Sequence, residues 1–492
     1  MRREIRALHT AAQVRELDRL AIAEAGIAGY ELMCRAGRAA FEALREAWPR
    51  ARRIVVLCGA GNNAGDGYVV ARLARERGLE AEVLWLRDPA GLAGDAATAA
   101  RDWHAAGGRS RPFDAGALAG ADVVVDALLG TGLDRPLEGS WAAAVEALAT
   151  ATAPVLALDL PSGLHADTGA VLGAAVRADL TVTFVGAKRG LLTGEAPDHV
   201  GRLLYDDLDV PEAVLARVPP AALRVTAADV REVLPPRPRT AHKGRFGHVL
   251  VVGGNNGMAG AARLAGEGAL RAGAGLVSVA VRSGHAAAIA AGRPELMARD
   301  VEGAEALAAP LARATVLAAG PGLGQDAWAR ALLARVLEAP QPKVLDADAL
   351  NLLAAEPVRR EDWVLTPHPG EAARLLGTDT ATVQRDRFAA ARALVERYGG
   401  VAVLKGAGTI VADARAVWVC DRGNPGLASG GTGDVLTGVI AGLLAQGLAP
   451  EEAARTGVWL HGAAADAAAA CGERGMIASD LLAHVRGLAN PD

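Results

Sequence analysis

Short unbroken runs of Val, Leu and Ala recur along this chain, and each leads into a glycine-bearing loop and then a helix-length stretch. RIVVLCG (53–59), AEVLWL (81–86), DVVVDALLG (122–130), APVLALDLPSG (153–163) and LTVTFVG (180–186) carry the pattern through the first half. Strands that are apolar on both faces need cover on both, so the pattern predicts parallel sheets sandwiched between helices. Periodicity predicts helices over 14–26, 32–48, 65–78, about 91–106 and 140–149. Pro211, Pro219, Pro220, Pro235, Pro236 and Pro238 then interrupt the pattern, and residues 211–238 read as a linker and entry segment. GHVLVVGG (247–254) restarts it. A helix over 259–272 and the strand GLVSVAV (275–281) follow, then strands ending near Gly320, Asp348, His368 and Gly406, and helices over 432–446 and 451–471. The fold class expected is α/β throughout, with a second α/β unit after the prolines.

Composition excludes several alternatives. A chain of 492 residues with 51% hydrophobic and 22% charged residues has apolar surface enough to offset the entropy of ordering most of its length. Aromatics make up only 3%, which leaves the cores to Ala, Val and Leu. The net charge of −4 comes with no basic stripe, so small molecules are the expected ligands and nucleic acid is not. Cys34, Cys58, Cys420 and Cys471 are scattered with no C-x-x-C pair, which argues against a disulfide framework or a structural zinc site. The opening MRREIRALHT has no apolar h-region, and no run of 18 apolar residues occurs. A secretory leader and a membrane span are therefore not expected, and a cytoplasmic enzyme is. Of 52 basic residues only four are lysines, and Lys188, Lys243 and Lys405 sit beside glycine-rich loops. Lysine is a compact point charge that arginine replaces poorly.

In open α/β sheets ligands bind beyond the carboxyl ends of the strands. The polar residues of this chain gather in those loops. GAGNNAGDG (59–67) offers glycines for close backbone approach and a helix start with free N–H groups, with Asn62, Asn63 and Asp66 beyond the needs of a turn. DALLGTGLDRP (126–136) and DLPSG (159–163) repeat the arrangement, and Lys188 places a cation near the same edge. Asn63, Asp126 and Ser162 supply oxygen atoms of a kind that suits a hard cation or simple hydrogen bonding. In the second half, GPGLG (320–324), LDADALN (345–351), TPHPGE (366–371), KGAGT (405–409) and NPGLASGGTGDVLTG (424–438) end successive strands. Gly431, Thr432 and Gly433 precede an apolar helix, so their amides can form an anion hole at its positive end. Asp434 then stands in the first turn, where a general base for a transferred group belongs.

These loops resemble, over about 1–215 and 222–492, the two domains of the bifunctional NAD(P)H-hydrate repair enzymes. The resemblance implies an N-terminal Rossmann-like epimerase domain and a C-terminal ribokinase-like, ADP-dependent dehydratase domain. It implies that Asn62, Asn63, Ala64, Gly65 and Asp66, the loop Gly130, Thr131, Gly132, Leu133, Asp134, Arg135 and Pro136, and Asp159 line the epimerase pocket. It further implies a potassium ion on Asn63, Asp126 and Ser162; acid/base work by Asp159, with Lys188 nearby, is the expected route between the epimers. Ala64 stands where the family loop commonly has glycine, a change compatible with negative φ. In the second domain the resemblance implies hydrate contacts from Ala261, Gly322, His368 and Asp434. It implies ADP, with magnesium, on Lys405, Gly406, Ala407, Gly408, Thr409 and Gly433. His368 and Glu371 form an H-x-x-E where sugar kinases of this fold carry N-x-x-E. The implied partners are NADH and NADPH hydrates and ADP, in a homo-oligomer. Two other readings share these loops: a ribokinase-like kinase of a thiazole or pyrimidine alcohol fused to a nucleotide-binding regulatory domain, and a first domain that only binds.

Overall fold

The computed structural model describes residues 4–491, so the first three residues of the charged opening segment lie outside the described residues. The chain divides into two compact units, Met1–Leu223 and Arg224–Asp492.

The first unit is built on a seven-stranded sheet in which all strands are parallel. Its order is Ser110–Pro112, Glu80–Trp85, Arg53–Cys58, Val123–Ala127, Val155–Leu158, Leu180–Phe184 and Arg202–Asp206. The central strands are buried along nearly their whole length and, but for Asp126, apolar on both faces past their first residues, as the Val/Leu runs require. The strand order reverses between Arg53–Cys58 and Val123–Ala127, and that reversal opens a crevice between their carboxyl ends. The helix after the first of these strands starts at Asn62, not Gly65: Asn62–Glu76. The asparagines expected in a loop therefore form its first turn. Ala64 lies in that turn, fully buried and without a positive φ, so its methyl group is accommodated.

The second unit repeats the plan. Met297–Asp300, Leu276–Val281, His248–Val252, Val316–Ala319, Lys343–Leu345, Trp363–Leu365 and Val401–Leu404 are parallel neighbours in that order. Thr409–Ala412 and Val417–Cys420 then extend the sheet antiparallel. KGAGT is thus the turn of a hairpin and not a strand-to-helix loop. The two β-branched runs TIVA and VWVC lie too close in sequence for the helical crossover that parallel pairing needs. The reversal of order falls between His248–Val252 and Val316–Ala319, whose loops lock together: Asn255 N donates to Gly322 O at 2.7 Å and Gly254 N to Pro321 O at 3.0 Å.

Residues 211–238 are not a structureless linker. They hold the helices Glu212–Leu215 and Ala227–Val233 and the strand Ala222–Arg224. Thr226 caps the second helix with a reciprocal bond to Asp229, a local signal hidden among the prolines. The helix Thr432–Ala445 is apolar on nearly every side, and it packs on Ala259–Ala272 through glycines: a Cβ on Gly438 would stand 1.9 Å from Ala265 O. Among the described residues no helix is long and apolar enough to cross a membrane.

Candidate active sites

The crevice of the first unit is a cavity of about 450 Å³. Gly61, Asn62, Asn63 and Asp66 form one wall, Leu128–Leu133 a second, and Asp159, Phe184, Val185 and Lys188 the floor, with Val14, Asp18 and Ile22 from the first helix above. Gly61 caps the Asn62–Glu76 helix without a side-chain bond, and of its first turn Ala64 N donates to Gly61 O at 3.0 Å. Gly130–Leu133 line the space, while Asp134, Arg135 and Pro136 are exposed on the outer arm of their loop. Gly65 and Ala64 are buried behind the wall; a Cβ on Gly65 would meet Met33 at 2.6 Å.

Asp159 and Lys188 meet at the floor. The Lys188 ammonium contacts Asp159 Oδ1 and also donates to Thr183 Oγ1 at 3.1 Å and to Phe184 O at 3.2 Å. Lys188 is 1% exposed, so this lysine is no solvated surface charge. Both ends of the floor are set by tight three-residue turns. Leu160 N donates to Leu158 O across Asp159 at φ 69°, and Gly186 N to Phe184 O across Val185 at φ 60°. Such left-handed backbone in residues with a Cβ is strained and concentrates at functional sites. Asp18, which the sequence did not single out, lines the same space. Burial pushes its carboxyl up to about 6, with Lys188 opposing and Asp159 adding to the rise. Burial pushes Asp66 well above the usual carboxylate range, helped by Asp159 and Asp18.

Beside the cavity, Asp126 is fully buried. Its Oδ1 accepts from Ser162 Oγ at 2.7 Å and Leu128 N at 3.2 Å, and its Oδ2 from Ser162 N at 2.8 Å. Burial raises it to about 6. Asn63 donates to Leu129 O at 3.0 Å, while its buried Oδ1 has no hydrogen-bond partner. An orphaned amide oxygen beside a buried carboxylate and a serine hydroxyl is a donor set of hard oxygens and fits an alkali cation. Among the described residues no three His, Cys, Asp or Glu side chains converge as a transition-metal site would require.

In the second unit the glycine-rich loop and the lysine hairpin come together. Gly431 takes φ 92° at the start of Thr432–Ala445 and offers no capping side chain, leaving the first-turn amides for an anion. Thr432 Oγ1 instead ties back to Leu427 O and Ser429 O at 3.0 Å each, so capping does not account for the motif. Lys405 donates to Asp346 Oδ1 at 2.7 Å, and Thr437 Oγ1 to Asp346 Oδ2 at 2.8 Å. A Cβ on Gly433 would stand 3.3 Å from Lys405 Nζ. Asp434, half-buried, is pushed up to about 7 by burial and by Asp346, against the opposing charge of Lys405.

His368 caps the Pro369–Leu376 helix, its Nδ1 accepting from Gly370 N at 3.0 Å, while Glu371 Oε2 accepts from His368 N at 2.8 Å. The imidazole is 51% exposed, which disposes of a buried structural histidine, and its Nε2 stands 3.4 Å from Glu371 Oε1. Gly322 packs against Met258 and Ala261, so these three share one wall. Asp348 holds Gly324 N at 2.8 Å. Gly406 and Ala407 are exposed, and Gly408 is buried. Thr437 and His461 carry contacts at this site that the sequence did not mark out, because each lies inside a long apolar helix.

A family model described as NAD(P)H-hydrate dehydratase matches residues 249–486, and one described as YjeF-related protein N-terminus matches residues 29–190. The bifunctional NAD(P)H-hydrate repair enzyme Nnr of Coxiella burnetii is 51% identical over 481 residues, 97% of this chain and 98% of its own. The enzyme of the same name from Escherichia coli is 47% identical over 97% of this chain and 93% of its own. Among solved structures, a ribokinase-like superfamily protein from Enterococcus faecalis superposes with a TM-score of 0.50 at 30% identity, over 55% of this chain and 96% of that one.

Proposed function

The chain belongs to the family of bifunctional NAD(P)H-hydrate repair enzymes, and we propose from its geometry how the two units divide that repair. The enzyme is an isomerase and a lyase. Its N-terminal half, about 1–215, interconverts the R and S hydrates of NADH and NADPH. Its C-terminal half, about 222–492, dehydrates the S epimer with ADP, giving NAD(P)H, AMP and phosphate. The observation that carries this reading is Asp434, a carboxylate poised near 7 one residue after the uncapped amides of Gly431–Gly433.

In the dehydratase half, the phosphate tail of ADP lies on the first-turn amides and Lys405. Asp434 takes the proton from the ring hydroxyl as that oxygen attacks the terminal phosphorus and the bond to AMP breaks. The ring C–O bond then breaks with loss of phosphate and of a proton from the neighbouring ring carbon, which restores the double bond. Ala261, Gly322 and His368 hold the hydrate, and Gly406–Thr409 the nucleotide. Magnesium bound with ADP would neutralise phosphate charge, held chiefly by the phosphate oxygens themselves.

In the epimerase half, the Asp159–Lys188 pair gives a proton to the ring hydroxyl, which leaves as water with the push of the ring nitrogen, and takes a proton back as that water returns to the opposite face of the same carbon, while Asn62, Asn63, Asp66 and Gly130–Leu133 of the cavity walls orient the dinucleotide. Potassium would sit on Asn63, Asp126 and Ser162, where its charge steadies the adjoining loops. The four free thiols support a reducing, cytoplasmic setting for the repair.

The test is to incubate the protein with mixed hydrates and ADP and follow reduced-nicotinamide absorbance; ADP-dependent return of that absorbance supports the reading. The kinase alternative, which the full-length likeness does not favour, would leave phosphate on the product.

A further inference from the structure

His461 lies on the Pro450–Ala468 helix and is 8% exposed. Its Nε2 stands 2.9 Å from the carbonyl oxygen of Thr432. A carbonyl only accepts, so Nε2 carries the hydrogen and donates it. Burial holds the imidazole down at about 4, so the ring stays uncharged over the working range of pH.

The consequence reaches the phosphate loop through one peptide plane. The Thr432–Gly433 peptide is planar and trans, so its C=O and N–H point in opposite directions. A donor that holds the Thr432 carbonyl on one side therefore holds the Gly433 amide on the other. Thr432 is tied a second time through its hydroxyl to Leu427 O and Ser429 O. With both ends of Thr432 held, the peptide has little freedom to rotate, and amides preset in this way need no reorganisation as charge develops. Thr432 is itself buried at the start of helix Thr432–Ala445, where Val435 N already donates to Gly431 O at 3.1 Å.

We propose that His461 is a positioning residue of the dehydratase site, locking the Thr432–Gly433 peptide so that the Gly433 amide is preset toward the transferred phosphoryl group. This rests on the reading of Gly431–Asp434 as the anion hole. His461 touches the loop and not the substrate, so its effect appears in kcat more than in hydrate binding.

The experiment uses the full chain with S hydrate and ADP. H461L removes the donor at similar bulk, and H461Q restores an N–H near the position of Nε2. H461N carries an amide too short to reach. Loss of one preset donor costs on the order of 10²–10³ in comparable sites, so loss of its support in H461L is expected to lower kcat by about tenfold or more, with KM for the hydrate within about twofold. H461Q is expected to recover most of that loss, and H461N is not. Epimerisation by the same chain stays unchanged in all three, and the acid limb set by Asp434 stays in place. The proposal is overturned if H461L keeps the parental kcat, or if H461Q is as slow as H461L while melting at the parental temperature. Should H461L fail to fold, equal rates for H461Q and H461N overturn it equally. Absence of ADP-dependent recovery in the parent chain would instead sink the functional reading itself.

Discussion

Lys405 Nζ stands 2.7 Å from Asp346 Oδ1, and this ion pair is the charged neighbour against which Asp434 titrates. Asp346 raises the Asp434 carboxyl, Lys405 lowers it, and burial adds the largest push, leaving it at about 7. A general base works best when its pKa lies near the operating pH.

Dehydration should therefore depend on pH through Asp434. The active form is the carboxylate, so kcat/KM is expected to rise as pH increases through about 7. Asp348 also raises Asp434, so D348N should move that limb to lower pH. A pH profile of the two proteins checks both statements; an unmoved limb in D348N would show that the titration belongs to another group.

The same carboxyl should cost stability. Its folded value of about 7 exceeds its ordinary value near 4. Between these, the folded chain holds a proton that the unfolded chain has lost, so stability falls as pH rises through that window. D434N removes the dependence. After allowance for solvent screening it should stabilise the second unit by about 1–2 kcal/mol at pH 8 and by little at pH 4. Melting curves at the two pH values decide the matter, and the predicted sign is a higher transition for D434N only at the higher pH.

Breaking the Asp159–Lys188 pair should silence one activity alone. K188M and D159N are each expected to slow epimerisation by about 10²–10⁴. Dehydration of the S hydrate should stay at the parental rate. Chromatographic separation of the epimers over time gives the measurement.

The orphaned Asn63 Oδ1 beside Asp126 should respond to potassium. Potassium chloride is expected to raise the melting temperature of the parent chain above that in choline chloride, because a ligand bound only by the folded state stabilises it. N63L should abolish the difference. An equal response in both proteins would remove potassium from the account.

How much of this was legible beforehand follows from where each signal lies. Unbroken apolar strands such as Val155–Leu158 and Val316–Ala319 can sit only in a doubly covered parallel sheet, so the class of both units was readable. The loops after them were readable because Asn63, Ser162 and Gly431–Asp434 exceed what turns require. The hairpin carrying Lys405 was not, since a strand end followed by glycines looks alike whether the chain crosses over or turns back. Asp18 was missed because a single acid on an amphipathic helix reads as solvated face, and only the fold shows that this face closes a cavity. Thr437 and His461 were missed because their partners, Asp346 and Thr432, are set by helix packing across many residues of sequence.

The most direct measurement supplies the full chain with an equal mixture of R and S hydrates and ADP and records reduced-cofactor absorbance. The parent should restore the signal from both epimers, D159N promptly from the S half alone, and D434N from neither. Full recovery by D434N, or a phosphorylated hydrate accumulating in place of NAD(P)H, would contradict the roles assigned to the two carboxylates.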